Sequence, residues 1–306
     1  METKNQTGKV KREGKKTRGI SSGIVILICA VIAIFLYFYW LGDVNNFMGA
    51  EAYLERVATI ENAGGPNMDA ELKELKEAAY PPDKNHPSNM KGNIYKGGYN
   101  VMIVITLLLT VICLSVERFI ALSIAKGKGN LINFVYDVKK ELKSGNLNSA
   151  EALCDKQKGS VAAIVKAGLM KYREMEVTRD HLNVEQKVAV IKEELEEATA
   201  LELPTWQQNL PVIATISTLG TLFGLLGTVL GMINSFGALA AEGAADSVAL
   251  SAGISEALVN TALGIATGAA AIISYAFFSG KVDNMTYAID EMGFALTQTY
   301  SETHTK

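Results

Sequence analysis

Cysteine, histidine and proline are all scarce in this chain. Three cysteines and three histidines stand against 306 residues. Cys29, Cys113 and Cys154 fall in separate segments, and His86, His181 and His304 are far apart. There is neither a CxxC pair nor a Cys/His ligand spacing, so the sequence carries no signature of a zinc site or a disulfide framework. It has no Gly-rich phosphate loop and no local Ser/His/Asp signature. No catalytic group, metal-ligand set or cofactor is read from it, which points away from an enzyme. Charge of one sign is also lacking: 29 Lys and Arg meet 32 Asp and Glu, a net charge of -3. Such a balance gives no reason to expect a nucleic-acid partner. Only six prolines occur, and the two longest apolar runs have none in their interior. That counts against a solute transporter, whose sites are built on broken helices near the midplane.

What the chain has instead is long apolar runs separated by charged stretches. A helix needs about 20 apolar residues to cross a bilayer, and four segments meet that requirement: 20–41, 99–124, 210–236 and 248–278. The fold class expected is therefore all-α, a multi-spanning membrane protein whose long helices extend into a cytoplasmic helical domain. Residues 1–19 form a basic tail with Lys4, Lys9, Lys11, Arg12, Lys15, Lys16 and Arg18. Basic flanks mark the cytoplasmic side. The run that follows is longer than the roughly 7–15 residues of a signal-peptide core. It ends in Tyr37, Phe38, Tyr39 and Trp40, read as an aromatic belt at the membrane surface. It is taken as an uncleaved first helix.

The remaining segments follow from alternation. Residues 42–98 lie in the periplasm, with an amphipathic helix from Asp69 to Ala79 that Pro81, Pro82 and Pro87 bring to an end. The second span, 99–124, closes on Glu117-Arg118 at its inner boundary. Residues 125–209 read as a Lys- and Glu-rich cytoplasmic domain of helices. One starts near Asn148, a second covers Val161 to Met175, and a third carries Val184, Val188, Ile191 and Leu195 at helical spacing. The outer link, 237–247, carries Glu242 and Asp246 but no Lys or Arg. The tail, 279–306, has one further short helix from Tyr287 to Tyr300. Both termini are then cytoplasmic.

The hairpin 210–278 is not a plain lipid anchor. Gly220, Gly224, Gly227 and Gly231 recur through its first helix, and Gly264 and Gly268 lie in its second. Small residues at this spacing let helix backbones approach closely in lipid. Thr221, Thr228 and Ser235 are spaced by seven residues and fall on nearly one face. Glu256, Asn260 and Thr267 share a face of the partner helix, with Thr261 beside it. Meeting of these two faces would make a polar seam, in which the Thr228 and Thr261 hydroxyls bond Glu256 or order water around it. The bland alternative is that Ser and Thr bond their own helix carbonyls. An ionisable residue inside a membrane helix marks a functional site by default. Glu256 lies roughly 10 Å along its helix from the outer end, at 1.5 Å per residue. It either reaches the outer headgroups or faces a protein interior, where a carboxyl can exchange protons. One carboxyl near one face is not a complete proton route. A second subunit with a titratable group deeper in the bilayer is therefore implied.

At these residues the sequence resembles the MotA/TolQ/ExbB proton-channel family, and it is more similar to ExbB or TolQ than to MotA. LPVIATISTLGTLFGLLGTVLGMIN over 210–234 and GISEALVNTALG over 253–264 look like the family's paired signatures. Glu117-Arg118 resembles the pair that closes the family's first span, so the likeness covers the last three spans and the domain between them. The resemblance implies a homopentameric ring around an ExbD-like single-span subunit whose helix carries an aspartate. Proton flow would drive that subunit's motion, passed on through a TonB-like protein to outer-membrane uptake, or in a TolQ-like role to envelope integrity. It implies a multi-pass protein of the bacterial inner membrane. On the family pattern Thr228, Glu256 and Thr261 are pore-lining, and Thr221 and Asn260 join them on the same stripes. Where the family often has proline, this chain has Thr221 and Ala270. The first helix and the segment to Gly98 lie outside the likeness, as an extra N-terminal transmembrane helix. A passive membrane scaffold, with Glu256 structural, is the alternative of a different class.

Overall fold

The computed structural model describes residues 21–47, 50–63, 72, 90–95, 97–177, 182–242 and 247–304. Its elements are helices: α1 Ser22–Phe35, continued by a π-helical turn Leu36–Leu41, then α2 Ala50–Ala63, α3 Met90–Tyr95 and α4 Gly98–Lys126. These are followed by α5 Leu131–Lys143, α6 Leu147–Gln157, α7 Gly159–Val177 and α8 Val184–Gln207. The last two are α9 Leu210–Glu242 and α10 Ser247–His304. No strand occurs among the described residues. Four helical stretches are long and apolar enough to cross a membrane: Ser22–Leu41, Gly98–Lys143, Val184–Gly237 and Gly253–His304. The chain is an all-α, multi-spanning membrane protein. The basic tail and the helix expected from Asp69 to Ala79 lie outside the described residues, apart from residue 72.

Two expectations are corrected. The separate helix from Tyr287 to Tyr300 does not exist, because α10 runs unbroken for 58 residues from Ser247 to His304. The change from apolar to polar composition after Phe278 alters what surrounds the helix, and no proline interrupts its hydrogen-bond ladder. The first part of the expected outer link, 237–242, is also not a link, since α9 stays helical through Glu242.

The chain divides into two compact units, one polar and one apolar. The polar unit takes 117–208 and 277–304 of the described residues. Its core is built where α7, α8 and the end of α10 touch. A Cβ on Gly293 would come within 2.8 Å of Leu195, and one on Gly168 within 3.1 Å of Leu296. Val165, Leu169, Ile191, Met292 and Leu296 are buried around this point. Tyr300 donates to the Met175 carbonyl at 3.0 Å, and its ring meets Tyr172 edge-on.

Helix starts are set by side-chain caps. Asn130 accepts from Ile132 N–H at 3.0 Å, and Asn183 forms a capping box with Gln186. Two tight junctions cross each other between α4 and α5 and between α6 and α7. Gly127 and Gly159 there have φ of +80° and +82°, and Lys128 N–H donates to the Gln157 carbonyl at 2.6 Å. A Cβ on Gly159 would lie 2.5 Å from the Ala125 carbonyl, so both the dihedral and the space require glycine. Arg118 is fully buried and ion-paired to Glu117. Its guanidinium also donates to the Thr205 carbonyl at 3.0 Å. This satisfies orphan carbonyls at the end of α8, where a cation suits the helix dipole.

The apolar unit takes 20–116 and 209–276. It packs α1, α3, α4, α9 and the first part of α10. Cys29 on α1 and Cys113 on α4 are free thiols with their sulfurs 3.7 Å apart. Of the four residues expected in the aromatic belt, Phe38, Tyr39 and Trp40 are exposed. Tyr37 is turned inward, 4% exposed, because it continues the buried face of Val25, Cys29 and Ala33, four residues apart on one side of the helix.

Candidate functional site

The hairpin of α9 and α10 is held together by its small residues. A Cβ on Gly220 would stand 3.1 Å from Gly268 N, and one on Gly224 would stand 3.0 Å from Gly264 Cα. A Cβ on Gly231 would meet the Gly253 carbonyl at 2.9 Å, and one on Gly227 would press on Asn260. Four successive contacts thus bring the two backbones together, as a small-residue face does in lipid.

Into this contact the structure inserts a pair of amides. Asn260 is 1% exposed, and its Nδ2 donates to the Gly97 carbonyl at 2.9 Å and to the Glu256 carbonyl at 3.1 Å. Asn100 Nδ2 donates to the Asn260 side-chain oxygen at 3.1 Å and to the Phe223 carbonyl at 2.8 Å. The two side chains tie α4, α9 and α10 at one level. Buried polar groups this well engaged fix one arrangement of helices. Asn100 escaped the sequence reading, because a single Asn near the end of an apolar run has the look of a boundary residue.

Glu256 lies one turn before Asn260 and is half-buried. It is the one titratable side chain between Leu210 and Ser274 apart from Glu242, the last residue of α9, and Asp246. Its carboxylate is placed against the start of α4. A Cβ on Gly98 would come within 2.7 Å of Glu256 Oε1, and Gly98 has φ of +69°. The dihedral therefore favours glycine at 98, and a Cβ there would push the Glu256 carboxylate aside.

The hydroxyls are arranged differently from the expected seam. Thr221 is exposed and donates to the Thr218 carbonyl at 2.8 Å. Thr228 donates to the Leu225 carbonyl at 2.6 Å, and it lines an outward-facing groove with Val229, Met232, Ile233 and Phe236. Thr261 points between the carbonyls of Ala257, at 3.2 Å, and Gly224, at 3.4 Å. Ser235 and Thr267 are buried in the hairpin, each 1% exposed, and Ser235 donates to Gly231 O at 2.9 Å. The α9 face that meets α10 is thus the glycine face with Ser235. Thr221 and Thr228 lie beside it, since seven residues on a 3.6-residue helix drift by about 20° per repeat. The structure brings Glu256, Asn260 and the glycines together, with Thr221 at the edge of the hairpin contact, where a Cβ on Gly268 would stand 2.8 Å from its Cγ2, and Thr228 on the outward-facing groove.

Comparison with known proteins agrees with the motif. Residues 156–291 match the MotA/TolQ/ExbB proton channel family. The match takes in both helices of the hairpin but not α4, so Glu117 and Arg118 fall outside it. Among similar curated proteins, the biopolymer transport protein ExbB of Pseudomonas putida is 29% identical over 140 residues, 46% of this chain and 42% of that protein. The putative biopolymer transport protein ExbB-like 3 of a Synechocystis strain is 41% identical over 81 residues, 26% of this chain and 39% of that one. The Tol-Pal system protein TolQ of Pseudomonas aeruginosa is 39% identical over 75 residues, 24% of this chain and 32% of that one. The matched stretches span 32–42% of these relatives' lengths.

Proposed function

We propose, from the match of residues 156–291 to the MotA/TolQ/ExbB proton channel family, that this chain is an energising subunit of the bacterial inner membrane. In this reading it lets protons descend their gradient past Glu256 and converts the flow into work on the envelope. The observation that carries the reading is the isolation of Glu256. It is the single titratable side chain in 210–241 and 247–274, on the close-packed part of the hairpin, held at the level where α4 begins. A fixed charge there would serve no packing purpose, whereas an exchangeable proton would give the site a task. Thr261, one turn further on, and Thr228, on the groove of α9, serve as hydroxyl relays toward it. The stripe of Thr221 and Thr228 faces a central space shared by several copies of the chain. Asn260 positions the pathway rather than lining it, since its amide is spent within one chain.

Hydroxyls do not titrate in the useful range, so the route needs a second acidic group. The partner proposed is an ExbD-like subunit with one membrane helix and an aspartate, inside a homopentameric ring, with both termini of this chain in the cytoplasm. A TonB-like protein would carry the work to outer-membrane uptake. The likeness to TolQ keeps a Tol-like role in envelope integrity as the second reading. Cells dependent on iron-chelate or cobalamin uptake provide the test. Glu256→Gln and Thr228→Ala should abolish uptake while the complex still assembles. Full uptake by both variants would favour a passive scaffold, and intact uptake with detergent-sensitive envelopes would favour the Tol role.

A further inference from the structure

The first membrane helix lies outside the family match, yet it reaches the acidic site. Its last turn, Leu36–Leu41, is π-helical, and Gly42 N–H donates to the Tyr37 carbonyl at 3.0 Å, five residues back. Such turns are rare and cluster at functional sites because they re-aim side chains. Asn46 closes the turn by donating to the carbonyls of Trp40 at 2.9 Å and Leu41 at 3.1 Å. The buried side chain within this turn is Tyr37, in line with Cys29 and Ala33 before it. Its ring stacks on Tyr95 with centroids 4.6 Å apart, and its hydroxyl donates to the Tyr95 carbonyl at 3.1 Å.

Tyr95 ends α3, and the two residues Gly97 and Gly98 lead into α4. On its other side this short turn carries the site. The Gly97 carbonyl accepts from Asn260, and Gly98 is the surface against which the Glu256 carboxylate rests. Val259, next to Asn260, and Leu263 pack on the cluster made by Tyr37, Leu41 and Val101. The ionisable groups around Tyr37 are Tyr95, Tyr99 and Glu256. Lys91 is stacked over Trp40 at 4.6 Å, and α9 contributes no titratable group between Leu210 and Ala241.

We propose that the first helix is a working part of the acidic site, with Tyr37 as a positioning residue that sets the surroundings of Glu256 through Tyr95 and the Gly97–Gly98 turn. Tyr37 clamps one side of a turn whose other side is the seat of the carboxylate. Small movements of the helix therefore change how Glu256 is hydrogen-bonded and how much water reaches it. The consequence for proton transfer rests on the channel reading above, but the positioning does not.

The test uses the full complex reconstituted in lipid. Infrared difference spectra between acidic and neutral pH contain the C=O stretch of the protonated Glu256 carboxyl, identified by its loss in Glu256→Gln. Tyr37→Phe keeps the ring on Tyr95 and removes the hydroxyl. Asn46→Ala loosens the π-helical turn without touching Tyr37. Each should shift the Glu256 band. Docking of the first helix is followed separately. Copper-phenanthroline with oxygen, which accepts two electrons and two protons per pair of thiols, should join Cys29 to Cys113 in both variants as in the parent. A shifted band with the cross-link retained supports the proposal. An unmoved band in both variants overturns it, whatever the cross-link yield. Undiminished proton flux through Glu256→Gln would instead overturn the channel reading alone, since the band shift does not depend on flux.

Discussion

At the scale of single residues, the site is defined by what each side chain is allowed to touch. Gly98 is the seat of a carboxylate, and Asn100 and Asn260 are the lock beneath it. Replacing Asn100 by Ala removes donors from the Phe223 carbonyl and from the Asn260 side chain. In a membrane such hydrogen bonds are worth about 1 kcal/mol. The variant should therefore melt a few degrees lower in detergent but remain folded, as read by a thermal aggregation assay.

Cys154 makes a second prediction of this kind. Burial raises its thiol from an ordinary value of 9.0 to about 12. At pH 8 only roughly one thiol in ten thousand is then the reactive thiolate. A maleimide should leave Cys154 unmodified in the folded protein and label it in denaturant. The same shift has a sign for stability. The unfolded chain releases the thiol proton first, so the polar unit loses stability as the pH rises from about 9 toward 12.

Some of the site was legible in residues alone. Glu256 stood out because charge inside an apolar run is costly, and Asn260 because it shares that helix face. Asn100 and Gly98 did not, since their roles come from contacts with residues about 160 positions away in the chain.

Elements are governed by how close two backbones come. A Cβ on Gly264 would lie 2.6 Å from the Gly220 carbonyl and 2.9 Å from Gly224 N, all main-chain atoms that cannot turn aside. Gly264→Ala should therefore separate α9 from α10 and cost about 1–3 kcal/mol. Gly280 lies in the same helix with nothing within 4 Å of its Cβ position. Gly280→Ala should be neutral or stabilising by up to about 1 kcal/mol, the helix propensity gained. Parallel melting curves of the two variants check the contrast.

The spacing of glycines announced the close hairpin, because a repeat every three or four residues maps to one helix face. Composition misled the reading at Phe278, where polarity changes but helicity does not. It misled it again at Tyr37, whose place in an aromatic run gave no sign of a π-helical turn. Both cases have the same cause: composition reports the medium around a helix, whereas the hydrogen-bond ladder decides where the helix bends or stops.

For the whole molecule, a hairpin that lies within the family match is combined here with a membrane helix that lies outside it. The all-α, multi-spanning architecture could be read from the lengths of four apolar runs, and the likeness to the family from two short motifs. The contribution of the first helix could not, because nothing in residues 20–41 points to a partner at Tyr95 until the chain is folded. The central claim remains that Glu256 passes protons. Its most direct test is dye-reported proton entry into proteoliposomes that carry the purified complex under an imposed gradient. Flux should fall to the level of empty vesicles with Glu256→Gln while the complex keeps its size on gel filtration. Flux equal to the parent's, in an equally well assembled Glu256→Gln complex, would contradict the account.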